Sequence, residues 1–125
     1  MSEQDAAAPE IVMDVKGVLA ERIAAPPGGE VQYRFSGRCP SSGPAIGDAL
    51  SSLRQRILQE VEPTALDVSC LEDVNSAFIG MISGLVAGLD EKGLKPVLVG
   101  PNKHIQDLLG IVGILEALEI RPAAT

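Results

Sequence analysis

The chain is poor in the side chains that do chemistry. Among its 125 residues there are no Trp, one Tyr, two Phe, two Cys and one His, and aromatics make up only 2%. Tyr33, Phe35 and Phe78 give no platform on which bases or sugars could stack. The single His104 cannot build a His-rich metal site, and Cys39 and Cys70 form neither a CxxC nor any zinc-type spacing. Two such thiols read as reduced residues of a cytoplasmic protein. Positive charge is scarce as well: 10 Lys+Arg face 17 Asp+Glu, for a formal net charge of -7. That balance argues against nucleic acid, whose phosphates need a clustered positive face, and against an electrostatic anchor to anionic membranes. Long apolar runs are missing too. The best stretch, from Phe78 to Leu89, is interrupted by glycines and falls short of the ~20 residues that span a bilayer. The acidic N-terminus has no basic-then-apolar signal pattern, so neither membrane insertion nor export is indicated.

What is abundant is small and aliphatic. Hydrophobic residues are 46% of the chain, enough for a core of Leu, Ile, Val and Ala. The length suits one domain, placed at 11–121, with a disordered tail at 1–10 and a loose tail at 122–125. Ile11–Val15 and Val18–Ile23 read as two strands joined by a tight Lys16-Gly17 turn, although Leu19-Ala20-Glu21-Arg22 would also suit a helix. After the Pro26-Pro27-Gly28-Gly29 turn, Val31–Phe35 alternates apolar and polar, as a strand with one wet face does. From Ala45 to Val61 the apolar positions recur at helical spacing, and Pro63 ends the run. Ala65–Ser69 is a short strand, Leu71–Asn75 a polar elbow, and Ser76 opens a second helix capped by Asn75 or Ser76 and closed at Gly93. Gly80, Gly84 and Gly88 form a small-residue stripe on that helix, suited to close packing against a sheet. Pro96–Gly100 is a buried strand, and Pro101-Asn102 opens a third helix that Gly110–Gly113 interrupts. Ile114–Leu118 makes a last helical turn, and Ile120 marks a short edge segment. The order predicts an α/β fold with a mostly parallel sheet of four or five strands and an antiparallel opening hairpin.

Catalytic signatures are missing. There is no GxxxxGK[ST], no GxGxxG after the first strand and no GxSxG, and His104 reads as a solvated helix residue. Acids near the second strand–helix elbow invite comparison with a phospho-accepting receiver, but the early strands end without the acids that would hold Mg²⁺. The informative stretch is LDVSCLEDVNSAFIG, from Leu66 to Gly80. A hydroxyl at the N-terminus of a helix sits where unpaired N–H groups and the helix dipole favour negative charge. Phosphorylation of Ser76 would add about -1.5 to -2 charges there, tolerable for the fold yet able to repel an acidic partner. The plainer reading makes Ser76 only a helix cap.

The stretch from Leu66 to Ile114 resembles a STAS domain, the anti-sigma-factor antagonist module also attached to sulfate transporters. Asp67 matches the family's strand acid, Asn75-Ser76-Ala77-Phe78-Ile79-Gly80 its Asp-Ser-[Ser/Thr]-Gly-Leu-Gly elbow, Gly100-Pro101-Asn102 its loop, and Leu109–Ile114 its Leu-x-x-x-Gly-[Leu/Ile] signature. Phe35-Ser36-Gly37-Arg38 resembles a strand-end element, so the similarity covers roughly Val31 to Leu118. Asn75 replaces the usual Asp, and Phe78 a common Gly. In one alignment the phosphate acceptor falls at Ala77; in members with an Asp-Ser-Phe pattern it falls at Ser76.

The resemblance implies a STAS-like fold with helices mainly on one face of the sheet. It also implies a non-catalytic module that binds an anti-sigma factor or a serine/threonine switch kinase, without cofactor or metal. The expected surface comprises Ser76 as acceptor with Asp67, Glu72, Asp73, Asn75, Ala77, Phe78, Ile79, Lys103 and His104. An exposed Phe78 would anchor the partner; as core it would not. A constitutive scaffold without phosphorylation, a small nucleotide-binding α/β protein and self-association stay open as alternatives.

Overall fold

The computed structural model describes residues 9–15, 17–39 and 44–123. The expectations for residues 1–8, Lys16, 40–43 and 124–125 lie outside the described residues. Six strands form one sheet in chain order: β1 (Glu10–Val15), β2 (Val18–Ile23), β3 (Val31–Arg38), β4 (Thr64–Asp73), β5 (Val97–Val99) and β6 (Glu119–Arg121). The first two pairings are antiparallel and the last three parallel. The chain between β3 and β4 carries α1 (Pro44–Leu58), the next connection α2 (Ser76–Asp90), and the last α3 (Lys103–Ile111) with a 3₁₀ turn at Leu115–Ala117.

The hydrophobic pattern explains the layers. Val31, Tyr33 and Phe35 point to one face together with Ala20, Leu66, Val68 and Leu98, and all of them are buried. Ile46, Leu50, Leu53 and Ile57 of α1, Ile82 and Leu85 of α2, and Ile105 and Leu109 of α3 cover that face in one cluster. The opposite face carries Gln32, Arg34 and Asp67, so the sheet has one dry and one wet side.

Several boundaries differ from the sequence reading, each for a local reason. The sheet has six strands rather than four or five, because the edge segment at Ile120 pairs with Leu98. β1 starts at Glu10, inside the expected tail, with Glu10 opposite Arg22. The hairpin settles Val18–Ile23 as a strand. α1 stops at Leu58, before the predicted Val61, which is 91% exposed. β4 continues through the expected elbow to Asp73, since Leu71 is buried and still paired, opposite Gly37. The glycine stripe of α2 faces α1, not the sheet. A Cβ on Gly84 would fall 2.6 Å from the Arg54 side chain and one on Gly88 2.7 Å from Leu58, whereas Gly80 borders open space.

Two glycines are required by backbone conformation. Gly37 has φ +101, and a Cβ there would stand 2.1 Å from the Gly17 carbonyl oxygen, where the hairpin turn meets β3. Gly93 has φ +72 and closes α2 as predicted, with Leu94 N–H donating to the Leu89 carbonyl and Gly93 N–H to that of Asp90, both at 2.9 Å.

A polar cluster ties the hairpin to the end of α1. The Glu60 carboxylate accepts from Arg22 Nε at 2.7 Å and Nη2 at 3.0 Å, and from the Tyr33 hydroxyl. Nearby, Arg56 donates to Glu10 at 2.7 Å. Arg22 is the main cause holding the Glu60 carboxyl below its ordinary range, with Tyr33 adding to it against the opposing effect of burial. Burial first, then Glu60, pushes the Tyr33 phenol up to about 12. A depressed carboxyl stabilises the fold above its unfolded pKa and loses that contribution as pH falls through the folded one. Glu60→Gln should therefore cost about 2 kcal/mol at pH 7 and flatten the loss of stability below about pH 4.3. Urea titrations from pH 7 to pH 3 read both effects, and parallel curves for the two proteins would count against the linkage.

Candidate functional site

Parallel strands linked through helices deliver each new helix N-terminus to the same sheet edge, the one where the strands finish. Here that edge gathers the ends of β3 and β4 and the starts of α2 and α3. Asn75 is extended (φ -117, ψ -180), and its side chain caps α2 by accepting from Phe78 N–H at 2.9 Å. Asn102 does the same for α3, accepting from Ile105 N–H at 2.8 Å. Its amide also donates to the Glu72 carbonyl at 3.1 Å, which fastens the α3 loop to the end of β4.

Asp73 is the hub of this edge. Its carboxylate accepts from Val74 N–H at 2.8 Å and lies 3.0 Å from His104 Nε2. Arg38 lies 3.5 Å from this carboxylate and 3.6 Å from that of Glu72, both exposed pairs of small energetic weight. The Asp73 carbonyl accepts from Cys39 N–H at 3.2 Å. Burial pushes the Cys39 thiol above its usual pKa, which keeps it protonated beneath the elbow.

Ser76 is the first residue of α2 and is exposed; its hydroxyl makes no hydrogen bond with any described residue. Capping therefore falls to Asn75, and the reading of Ser76 as a cap is overturned. Glu72, Asp73, Asn75, Ser76 and His104 come together at the elbow, with Ala77 half-buried beside them. The other expected residues do not all join them. Asp67 lies six residues back along β4, on the order of 20 Å at ~3.3 Å per residue, and its carboxylate is taken up by Ser69 N–H at 3.0 Å and the Ser69 hydroxyl at 2.6 Å. Lys103 pairs along its own helix with Asp107 at 3.0 Å. Ile79 is half-buried and packs against the core.

Phe78 corrects the picture of a docking anchor. It is 2% exposed and meets Phe35 edge-to-face, with ring centroids 5.3 Å apart at 85°. The sequence reading did not place Arg38, Cys39 or Asn102 at this site, although it named Arg38 and Asn102 as motif residues. Asn102 carried a usable signal, because its place before Lys103-His104-Ile105 repeats the Asn75-Ser76-Ala77-Phe78 capping pattern. Among the described residues no three His, Cys, Asp or Glu side chains are grouped as metal ligands. Among the same residues no helix is long and apolar enough to cross a membrane.

No family model matches the chain, and no curated protein does. Among solved structures it is similar to the anti-sigma factor antagonist SpoIIAA in its unphosphorylated form. The two are 15% identical with a TM-score of 0.57, covering 94% of this chain and 89% of that one. The fold is STAS-like. The resemblance drawn from the elbow and loop motifs is thereby matched over nearly the whole chain. At this identity it is the STAS-like architecture that is shared, while the side chains at the elbow are this chain's own.

The cap assignment predicts a contrast. Asn75→Ala should cost about 1 kcal/mol, while Ser76→Ala should stay within about 0.5 kcal/mol of wild type. Phe78→Ala should cost about 3–5 kcal/mol, as loss of a buried ring does. Urea midpoints separate the three, and a larger loss at Ser76 than at Asn75 would reverse the assignment.

Proposed function

We propose that the chain is a non-catalytic regulatory module of the anti-sigma-factor antagonist kind. It docks an anti-sigma factor or switch kinase through the elbow around Ser76, and phosphorylation of Ser76 controls that docking. The observation that carries this reading is the division of labour at the start of α2: Asn75 caps the helix, so the Ser76 hydroxyl is left exposed. The STAS-like fold supports it, because the similar SpoIIAA is described as an anti-sigma factor antagonist in an unphosphorylated form. Ala77 speaks for the alignment that puts the acceptor at Ser76, since position 77 is half-buried against the core.

The physical mechanism is electrostatic. A kinase transfers the γ-phosphoryl group of ATP to Ser76 Oγ, takes up the hydroxyl proton on its own base and releases ADP. The product carries about -1.5 to -2 charges at a helix N-terminus, where dipole and free N–H groups receive them without unfolding the helix. The surface presented to a partner changes sharply, because Glu72 and Asp73 already make this edge acidic. Arg38 offsets part of that charge. The partners implied are proteins of a cytoplasmic bacterial transcription-control or stress-signalling pathway.

The test is capture of an anti-sigma factor from the source cells by wild type, Ser76→Ala and Ser76→Asp. Wild type and Ser76→Ala should capture it equally and Ser76→Asp at least about tenfold less, with circular dichroism unchanged. Equal capture by all three would sink the switch and favour a constitutive scaffold.

A further inference from the structure

A groove of about 650 Å³ opens at the end of the fold opposite Ser76, where α2 finishes and the parallel strands begin. Its floor is apolar, formed by Ile57, Leu66, Leu85, Leu89 and Val97. Val61 and Leu94 stand on its lip, 91% and 56% exposed. The size and lining fit small-molecule sites, which span roughly 300–1,000 Å³ and are mostly apolar with a few placed polar groups.

The charges on the rim are sorted by element. On the sheet side the carboxylates already have cations: Glu30 and Glu119 each meet Arg121 at 2.8 Å, and Glu60 meets Arg22 at 2.7 Å. The connection from α1 to β4 adds the exposed Glu62. The loop from α2 to β5 brings Lys92 and Lys95, and neither ammonium meets a carboxylate among the described residues. Lys92 Nζ donates to the Leu58 carbonyl at 3.0 Å, and Lys95 Nζ reaches that of Glu116 at 3.5 Å. Both keep donors to spare, since an ammonium carries three. An apolar trough with two such cations on one bank is complementary to a hydrocarbon chain ending in an anion.

We propose that this groove binds a medium-chain fatty carboxylate, its chain along Val61, Leu89 and Leu94 above the buried Leu66 and Leu85, and its head at Lys92 and Lys95. The site is separate from the elbow, and its occupancy does not depend on the Ser76 reading. Titration calorimetry of the full chain with laurate below its micellar concentration should show saturable one-to-one binding. Dodecyltrimethylammonium, with the same chain and a cationic head, should bind at least about tenfold more weakly, because it loses the charge-assisted contacts. The double variant K92E/K95E should weaken laurate binding by a similar factor with its urea midpoint retained. The neutral K92Q/K95Q serves the same comparison should charge reversal disturb the fold.

No saturable laurate heat would overturn the proposal, and so would equal affinity for the two head groups. A concentration-dependent dimer in sedimentation, dissolved by Val61→Asp or Leu94→Asp, would overturn it in favour of a second copy as occupant.

Discussion

The parallel pairing of β3 with β4 is the constraint on which the rest of this structure depends. β3 is antiparallel to the hairpin on one side and parallel to β4 on the other, so it joins two differently built halves. A parallel neighbour cannot be reached by a tight turn. The chain must cross back over the sheet, and α1 makes that return. The return brings the end of α1 to the starting edge, where Glu60 meets Arg22 and Tyr33. It then sends β4 to the finishing edge, where α2 begins. The next crossover repeats the step, which is why Asn75 and Asn102 cap two helices side by side and why Asn102 can reach the carbonyl of Glu72.

The two edges have different characters as a result. The finishing edge is polar, with exposed side chains around Asp73 and a hydroxyl at Ser76. The starting edge is an apolar trough with sorted charges. α2 spans the distance between them, about 22 Å for its fifteen residues at ~1.5 Å each. It is held along its length by α1, which approaches so closely at Gly84 and Gly88 that a side chain there would collide with Arg54 and Leu58. The helix pair behaves as one packed layer on the sheet.

The parts of this fold that depend on local pattern were legible in the sequence. The Val31–Phe35 alternation, the helical spacing from Ile46 to Ile57 and the Gly93 stop all describe residues whose neighbours in the chain decide their state. The misplaced features depend on partners distant in the chain. Leu71 looks like an elbow residue until Gly37 is set opposite it. The glycine stripe has the same spacing whether it meets a sheet or a helix. Phe78 could be read as surface or core until Phe35 was found against it. At the elbow, Ser76 and Asn75 are equally good caps by residue type, and only the bond from Phe78 N–H tells them apart. The groove left no motif, because its floor is ordinary core sequence drawn from two helices and two strands.

The lone tyrosine has a practical corollary. A chain with no Trp and one Tyr carries a single dominant ultraviolet chromophore, and that phenol is wedged between the hairpin and the end of α1, bonded to Glu60. Its absorption and emission therefore report on one junction of the molecule. A form in which the hairpin has lifted while the parallel half stays packed would be optically distinct without any label. The scarcity of aromatic side chains thus leaves the protein with a built-in spectroscopic probe, placed where its two halves are fastened together.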